Sequence, residues 1–172
     1  MRKKNRSEQT GRTRDQDADK RWAIGVTGAV VRDGKVLYVR RNYEPHKGTW
    51  TLPGGYVNHD ETLDEAVKRE LLEETGLEIA VMGIVGVRTR YGEKGGAVLV
   101  IFRTEVAAGE PQADEYEISA AEFFDAGQIA ALEPMFPLSR EIGLRMLNSE
   151  STGLTEIDVP PSSTSQWKAY SI

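Results

Sequence analysis

Apolar positions along the chain fall into segments of two different periods. From Ala23 to Arg32 and from Lys35 to Arg41 the residues are mostly β-branched and aliphatic, and Asp33-Gly34 between them is the strongest short hairpin signal a sequence offers. An antiparallel pair is expected there. A further strand leads through Trp50 to Leu52 and is broken by Pro53-Gly54-Gly55. The period then becomes helical from about Leu63 to Thr75, with Thr62 and Glu65 as a capping box at the start and Gly76 suited to the end. Glu78 to Tyr91 and Ala97 to Val106 read as long strands joined by the Gly-rich turn Gly92-Glu93-Lys94-Gly95-Gly96. A short strand near Glu122 to Phe124 and helices at about Ala126 to Leu132 and Leu138 to Leu147 complete the pattern. Strands, one helix, more strands and then helices predict an α/β (α+β) fold in which helices cover a mixed sheet.

One helix breaks its own pattern. At about 100° per residue, Leu63, Ala66 and Val67 lie on one stripe, and that stripe continues through Glu70 and Glu74. Two carboxylates thus occupy positions the pattern reserves for core. Glu73 lies on the flank, so Glu70, Glu73 and Glu74 form a like-charged cluster at the helix C-terminus, where the helix dipole disfavours them further. Arg69 offsets one charge, and a solvated acidic face with a Glu65 to Arg69 pair is the plain alternative. Against it, a pattern violated in this way is expected at functional sites. Hard carboxylate oxygens without cysteine or histidine form the ligand set for Mg²⁺ or Mn²⁺, an ion usually shared with substrate phosphates.

Composition supports this direction. The 172 residues suffice for one sizeable core, so a single domain at residues 21–148 is expected between a flexible N-terminal tail at 1–20 and a C-terminal tail at 149–172. The first 21 residues hold eight Lys/Arg against four Asp/Glu, which leaves fourteen against twenty-three in the rest. That acidic body makes nucleic acid a poor first guess for a partner unless cations intervene. The absence of cysteine excludes disulfides, thiolate catalysis and cysteine-ligated zinc. No apolar run approaches the roughly 20 residues needed to span a bilayer, and the basic N-terminus lacks the apolar stretch of a signal peptide. A soluble, cytoplasmic protein without a membrane partner is the expectation. Pro160-Pro161-Ser162-Ser163-Thr164-Ser165 reads as linker, while Trp167 and Tyr170 hint at docking, and exposed strands leave room for a homodimer.

Gly55, five residues, Glu61, seven residues, Arg69-Glu70-Leu71, one residue, Glu73-Glu74, one residue and Gly76-Leu77 resemble the Nudix box at every defined position. Seven fixed identities and two aliphatic positions would coincide by chance in fewer than about one in a million chains of this size. Trp50-Thr51-Leu52-Pro53-Gly54-Gly55 looks like the family's lead-in, and Glu117-Ile118 with Phe123-Phe124 is similar to a downstream segment that often carries another acidic residue. Asp60 is a departure, since Gly is commoner before Glu61.

The resemblance implies an α/β/α sandwich around a mixed sheet. It also implies attack of water on phosphorus in a diphosphate linked to a nucleoside, with Mg²⁺ or Mn²⁺ as cofactor. Glu70, Glu73 and Glu74 would bind metal, Glu74 foremost, with the backbone carbonyl of Gly55 as a further ligand. Glu117 leads as general base or added ligand, with Asp114 and Glu115 as rivals. Arg69 would orient the glutamates, and Glu61 would hold a water or pair with Arg69. Arg40, Arg41, Arg88 and Arg90 are candidates for phosphate contacts, and Tyr56 and Tyr91 for base stacking. The substrate is expected to be a small nucleotide, ADP-ribose or a nucleoside triphosphate, although the proline that marks ADP-ribose members is not at its spacing. A non-catalytic nucleotide sensor and an RNA 5′-end pyrophosphohydrolase are the alternatives; the intact box and the acidic body weigh against them.

Overall fold

The computed structural model describes residues 22–92 and 95–148, together with the backbone of 155–157 and 166–171. The hairpin forms where the sequence places it. Strand β1 (Ala23–Arg32) and β2 (Lys35–Arg41) pair antiparallel with Arg32 opposite Lys35, and Asp33 and Gly34 both take positive φ, 50° and 71°. That backbone twist matches the twist of the flanking strands. The short β3 (Trp50–Thr51) pairs with β2, and helix α1 spans Leu63–Thr75. The Glu65 carboxylate accepts the Thr62 backbone N–H at 2.8 Å, and Gly76 closes the helix in the left-handed region with its N–H on the Leu72 carbonyl.

Strands β4 (Glu78–Gly92) and β5 (Gly95–Ala108) form a long antiparallel ribbon, and residues 93 and 94 of the expected turn lie outside the described set. β5 runs parallel to β1 along its length, from Ala23 opposite Ala97 to Val31 opposite Glu105, which makes the sheet mixed. β6 (Ile118–Phe124) pairs with β2, and α2 (Ala126–Ala131) and α3 (Pro137–Asn148) follow. Among the described residues no helix is long and apolar enough to cross a membrane.

Alternate residues of the central strands serve two cores. Val26 and Val30 of β1, Leu37 of β2 and Val100 and Phe102 of β5 pack with Ala66, Val67 and Leu71 of α1. Ala29, Val36, Tyr38 and Ile101 pack on the opposite side with Ile129 of α2 and Ile142 and Met146 of α3. A sheet buried on both faces requires nearly continuous apolar strands, and β1 and β2 have that composition. The result is the expected α/β/α sandwich.

Two expectations change. The third strand of the β2 face begins at Ile118, four residues before the expected Glu122. The stretch from 149 to 172, expected to be linker, contains β7 (Thr155–Ile157) and β8 (Gln166–Ser171); β8 pairs antiparallel with β4 from Gly86 opposite Ser171 to Tyr91 opposite Gln166. The prolines and serines that suggested linker fall between these strands, outside the described residues. β4 would otherwise present a long row of unpaired backbone groups at the sheet edge. The expected N-terminal tail, 1–20, lies outside the described residues.

Candidate active site

Behind β3 the chain is laced onto β1 by its backbone. The Val26 and Gly28 N–H groups donate to the carbonyls of Gly55 and Pro53 at 2.9 and 3.0 Å, Val57 N–H returns a bond to Ile24, and the Thr27 hydroxyl donates to Pro53 at 2.6 Å. This fixes Gly54 and Gly55 beneath the C-terminal half of α1. A Cβ on Gly54 would lie 2.2 Å from the Val26 carbonyl oxygen, and one on Gly55 would lie 2.5 Å from the Glu70 carboxylate. A side chain is excluded at Gly54 by the backbone of β1 and at Gly55 by the Glu70 carboxylate, which lies directly on the loop.

The helical stripe sets which carboxylates do so. Glu74 is 9% exposed, and its carboxylate accepts the Gly54 N–H at 2.8 Å. Glu70 lies one turn back against Gly55, also turned inward, whereas Glu73 on the flank leaves most of its side chain to solvent. Burial pushes the Glu74 carboxyl up to about 8; the Gly54 hydrogen bond opposes this, and the fields of Glu70, Glu117 and Asp114 add to it. Glu70 is likewise raised by burial, partly offset by Arg69.

Arg69 ties the cluster together. Its Nε and Nη2 grip both oxygens of Glu61 at 2.9 and 2.6 Å, Nη1 reaches Glu70 and Glu73 at 2.9 and 3.0 Å, and Nη2 also donates to the Tyr56 carbonyl. All five donors of the fork are used. Glu61 therefore takes the pairing role of the two expected for it, and Arg69 with the Asn58 N–H holds its carboxyl down to about 2. The plain Glu65–Arg69 pair does not form, because Glu65 turns back to cap Thr62.

The donor set is all oxygen: Glu70, Glu74, Glu73 and the Gly55 carbonyl, which keeps a lone pair beyond its bond from Val26. Among the described residues no three acidic or histidine side chains converge tightly enough to cage an ion by themselves. Mg²⁺ is ordinarily bound by one or two carboxylates with water and substrate phosphates completing its octahedron. A buried carboxylate with a raised pKa beside a second one is a site that a divalent cation would relieve, and the residues fit such an ion.

These groups open into a cavity of about 610 Å³. Arg69, Glu70, Glu73, Glu74, Gly55, Glu117, Arg41 and Arg88 all line it, as do Arg90, Tyr56 and Asp114. The two rivals at the loop separate by their bonds. One Asp114 oxygen accepts the backbone N–H groups of Tyr116, Glu117 and Ile118, at 3.1, 3.0 and 2.7 Å, so Asp114 shapes the turn that presents Glu117. Glu115 does not line the cavity.

Arg40 and Tyr91 are corrections. Neighbouring residues of a strand point to opposite faces. With Arg41 in the cavity, Arg40 points away and donates to the Gly48 carbonyl at 3.2 Å; with Arg88 and Arg90 in it, Tyr91 does not reach it. Tyr43 was missed. Its ring lies 4.2 Å beneath the Arg41 guanidinium on the cavity wall, but it follows β2 in irregular chain, where no periodicity marks it.

Residues 20–146 match the NUDIX domain. The chain is 38% identical over 112 residues to an ADP-ribose pyrophosphatase of Methanocaldococcus jannaschii, covering 64% of this chain and 66% of that one. It is 40% identical over 88 residues to a MutT-like protein of Streptomyces ambofaciens, covering 51% and 54%. The chain thus spans between about half and two thirds of the length of these relatives. A MutT NUDIX hydrolase from Burkholderia pseudomallei superposes with a TM-score of 0.65 at 25% identity, over 77% of this chain and 100% of that one. By this match and by its fold, the chain belongs to the NUDIX domain family.

Proposed function

We propose that the chain is a divalent-metal-dependent pyrophosphohydrolase that cleaves a nucleoside diphosphate linked to a further group, with ADP-ribose or a nucleoside triphosphate as substrate. The observation that carries this reading is the pair Glu70 and Glu74, turned inward on α1 against the Gly54–Gly55 backbone inside the cavity. Glu70, Glu73, Glu74 and the Gly55 carbonyl would hold Mg²⁺ or Mn²⁺. When bound, such an ion polarises phosphoryl oxygens and lowers the pKa of water.

The chain's own groups do the rest. Glu117, presented by the Asp114 turn, accepts the proton of the attacking water as its oxygen bonds to phosphorus and the bridging P–O bond breaks toward the leaving phosphate. Arg69 holds Glu70 and Glu73 in register without touching substrate. Arg41 and Arg88 bind substrate from opposite ends of the cavity, and the exposed Tyr43 ring offers a stacking surface for a base. A cysteine-free chain suits the reducing cytoplasm, where nucleotides of this class occur.

The test is product analysis on a panel of ADP-ribose, nucleotide sugars and nucleoside triphosphates with Mg²⁺ and with Mn²⁺, run in ¹⁸O-labelled water. Label in a phosphate product supports attack at phosphorus. Loss of turnover in Glu117→Gln, with Asp114→Asn altering stability more than rate, supports Glu117 as base. No cleavage by the folded native chain with either metal would remove the hydrolase reading.

A second reading, action on RNA 5′ ends, is favoured by one feature, the eight Lys/Arg in the first 21 residues. Salt-sensitive affinity for RNA that is lost on removing those residues would support it.

A further inference from the structure

Glu117 lines the cavity with its backbone fastened and its side chain free. The N–H donates to Asp114, the carbonyl accepts from the Asn42 N–H, and among the described residues the carboxylate has no hydrogen-bond or ion-pair partner. Its place is therefore set by the chain beneath it. That chain is an exposed loop, residues 109–117, and a segment with few buried apolar contacts opens readily unless polar bonds restrain it.

The loop is pinned at two points. The Gln112 N–H donates to the carbonyl of Thr75, the last residue of α1, at 2.8 Å, and the Asn42 N–H donates to the Glu117 carbonyl at 2.7 Å. The turn between them is served by two side chains in complementary ways. The Asp114 carboxylate collects its N–H groups, while Nδ2 of Asn42 donates to the carbonyls of Glu115 and Tyr116, at 2.9 and 3.4 Å. Asp114 belongs to the turn and would move with it. Asn42 directly follows the last residue of β2, so its amide ties the turn to the sheet.

The turn is held in a shape that its own residues do not favour. Glu115 takes φ 65°, a left-handed conformation that costs energy for a residue with a side chain, and its carbonyl is the one Asn42 holds more closely. Next to it, β6 carries one extra residue. Arg40 stands opposite Ala120 and Arg41 opposite Ile118, which leaves Ser119 unpaired in a bulge, and its hydroxyl donates to the Arg40 carbonyl at 3.1 Å. Such a bulge bends the strand and re-aims its neighbours. Arg41 and Tyr43 line the cavity, and Asn42 between them does not. Asn42 can reach the chemistry only through the turn.

Resting on the hydrolase reading above, in which Glu117 takes the proton of the attacking water, we propose that Asn42 is a positioning residue for that step, its amide clamping the Glu115 and Tyr116 carbonyls and so aiming Glu117. A base must come within about 2.6–3.2 Å of the atom whose proton it takes. A misplacement on the order of 1 Å lowers the rate by up to about a hundredfold. Loosening the turn therefore lowers kcat, while KM, set on the β2 side by Arg41 and Tyr43, changes little.

The experiment uses Asn42→Ala and Asn42→Leu. Both remove the donor and keep the backbone bond to Glu117, and leucine also keeps the approximate shape of asparagine. Each is expected to lose at least tenfold in kcat, with KM nearly unchanged and the melting temperature within a few degrees of native. Native kcat in Asn42→Leu would mean that the side chain only fills space, and would overturn the proposal. Combined with Glu117→Gln, Asn42→Ala should add no further loss, because an absent base cannot be misplaced. Losses that multiply would overturn the positioning role, since Asn42 would then act through another group. Backbone ¹⁵N relaxation keeps this inference apart from the reading beneath it. If no nucleotide is cleaved, or if Glu117→Gln turns over like the native protein, the reading of Glu117 as base falls. A drop in the order parameters of the Tyr116, Glu117 and Ile118 amides of Asn42→Ala, below the roughly 0.85 of rigid backbone, would still support the clamp, and unchanged values would end it.

Discussion

The Gly54 backbone N–H donates to the Glu74 carboxylate at 2.8 Å, so a loop fixed to β1 and the last turn of α1 meet through one oxygen of one side chain. The other oxygen is the one the proposed ion would take. Glu74→Gln keeps an acceptor for Gly54 and removes the charge. Turnover at saturating Mg²⁺ is expected to fall at least a hundredfold, while the melting temperature of the metal-free protein holds or rises, because the amide is neutral at every pH without having to take up the proton that the buried carboxyl needs. Steady-state kinetics beside thermal melts check both halves, and near-native turnover in the variant would remove Glu74 from the metal site.

The same burial gives the metal-free protein an unusual pH profile. The Glu74 carboxyl is raised from 4.5 to about 8, so the folded chain holds this proton more tightly than the unfolded chain. Its contribution to stability is complete below pH 4.5 and is lost as pH rises through 8. Glu61, held down to about 2, contributes in the opposite sense: its share is present above 4.5 and is lost as pH falls toward 2. In EDTA the melting temperature should therefore decline between pH 5 and 8, and Glu74→Gln should flatten that decline. Added Mg²⁺ at pH 8 should restore it, because the ion takes the place of the proton.

The two glycines of the loop should fail differently. An alanine Cβ at Gly54, at φ 146°, meets backbone atoms of Val26 and Thr27 that cannot turn aside. Gly54→Ala is expected to cost about 2–4 kcal/mol of stability by strain and overpacking. At Gly55 the obstacle is the end of the Glu70 side chain, which can swing away. Gly55→Ala should leave the melting temperature within a few degrees and lower activity at least tenfold, with a weaker apparent affinity for metal. Denaturant melts and metal titrations separate the two cases.

Off the cavity wall, in the core beneath α2 and α3, Tyr38 is fully buried and donates to the Ser139 carbonyl at 2.8 Å, its hydroxyl set against Gly143 of α3 where no Cβ would fit. Tyr38→Phe removes this bond to a helical carbonyl and should cost about 1 kcal/mol. Gly143→Ala overpacks the same point and should cost about 1–3 kcal/mol. Neither should alter kcat or KM, and a kinetic change would mean that the α3 face communicates with the site.

Periodicity revealed most of the scaffold because most of it is amphipathic or doubly buried. The bounds of β1, β2 and α1 follow from Asp33-Gly34, Thr62 and Gly76, residues whose backbone roles are local. The start of β6 did not follow, because Ile118-Ser119-Ala120-Ala121 carries little strand preference and becomes strand by pairing with β2, with Ile118 opposite Arg41. β8 escaped for the same reason, since the edge of β4 decides it. Within the site, the inward turn of Glu70 and Glu74 was legible from the helical stripe. Which of Arg40 and Arg41 faces the cavity was not, since either phase of the strand was possible until the sheet fixed one.

Arg69 offers the sharpest test of positioning. Its planar fork serves Glu61, Glu70, Glu73 and the Tyr56 carbonyl at once, through five bonds of 2.6 to 3.1 Å. A lysine keeps the charge but has three donors on a point-like head, and it cannot span both sides of the cluster. If Arg69 acted only by neutralising charge, Arg69→Lys would behave as native and Arg69→Ala would not. Acting by geometry, it should make both variants lose at least tenfold in kcat and bind Mg²⁺ more weakly, with KM for the nucleotide nearly unchanged because all five of its donors are already taken by protein oxygens. Full activity in Arg69→Lys would return Arg69 to the role of a simple counter-charge.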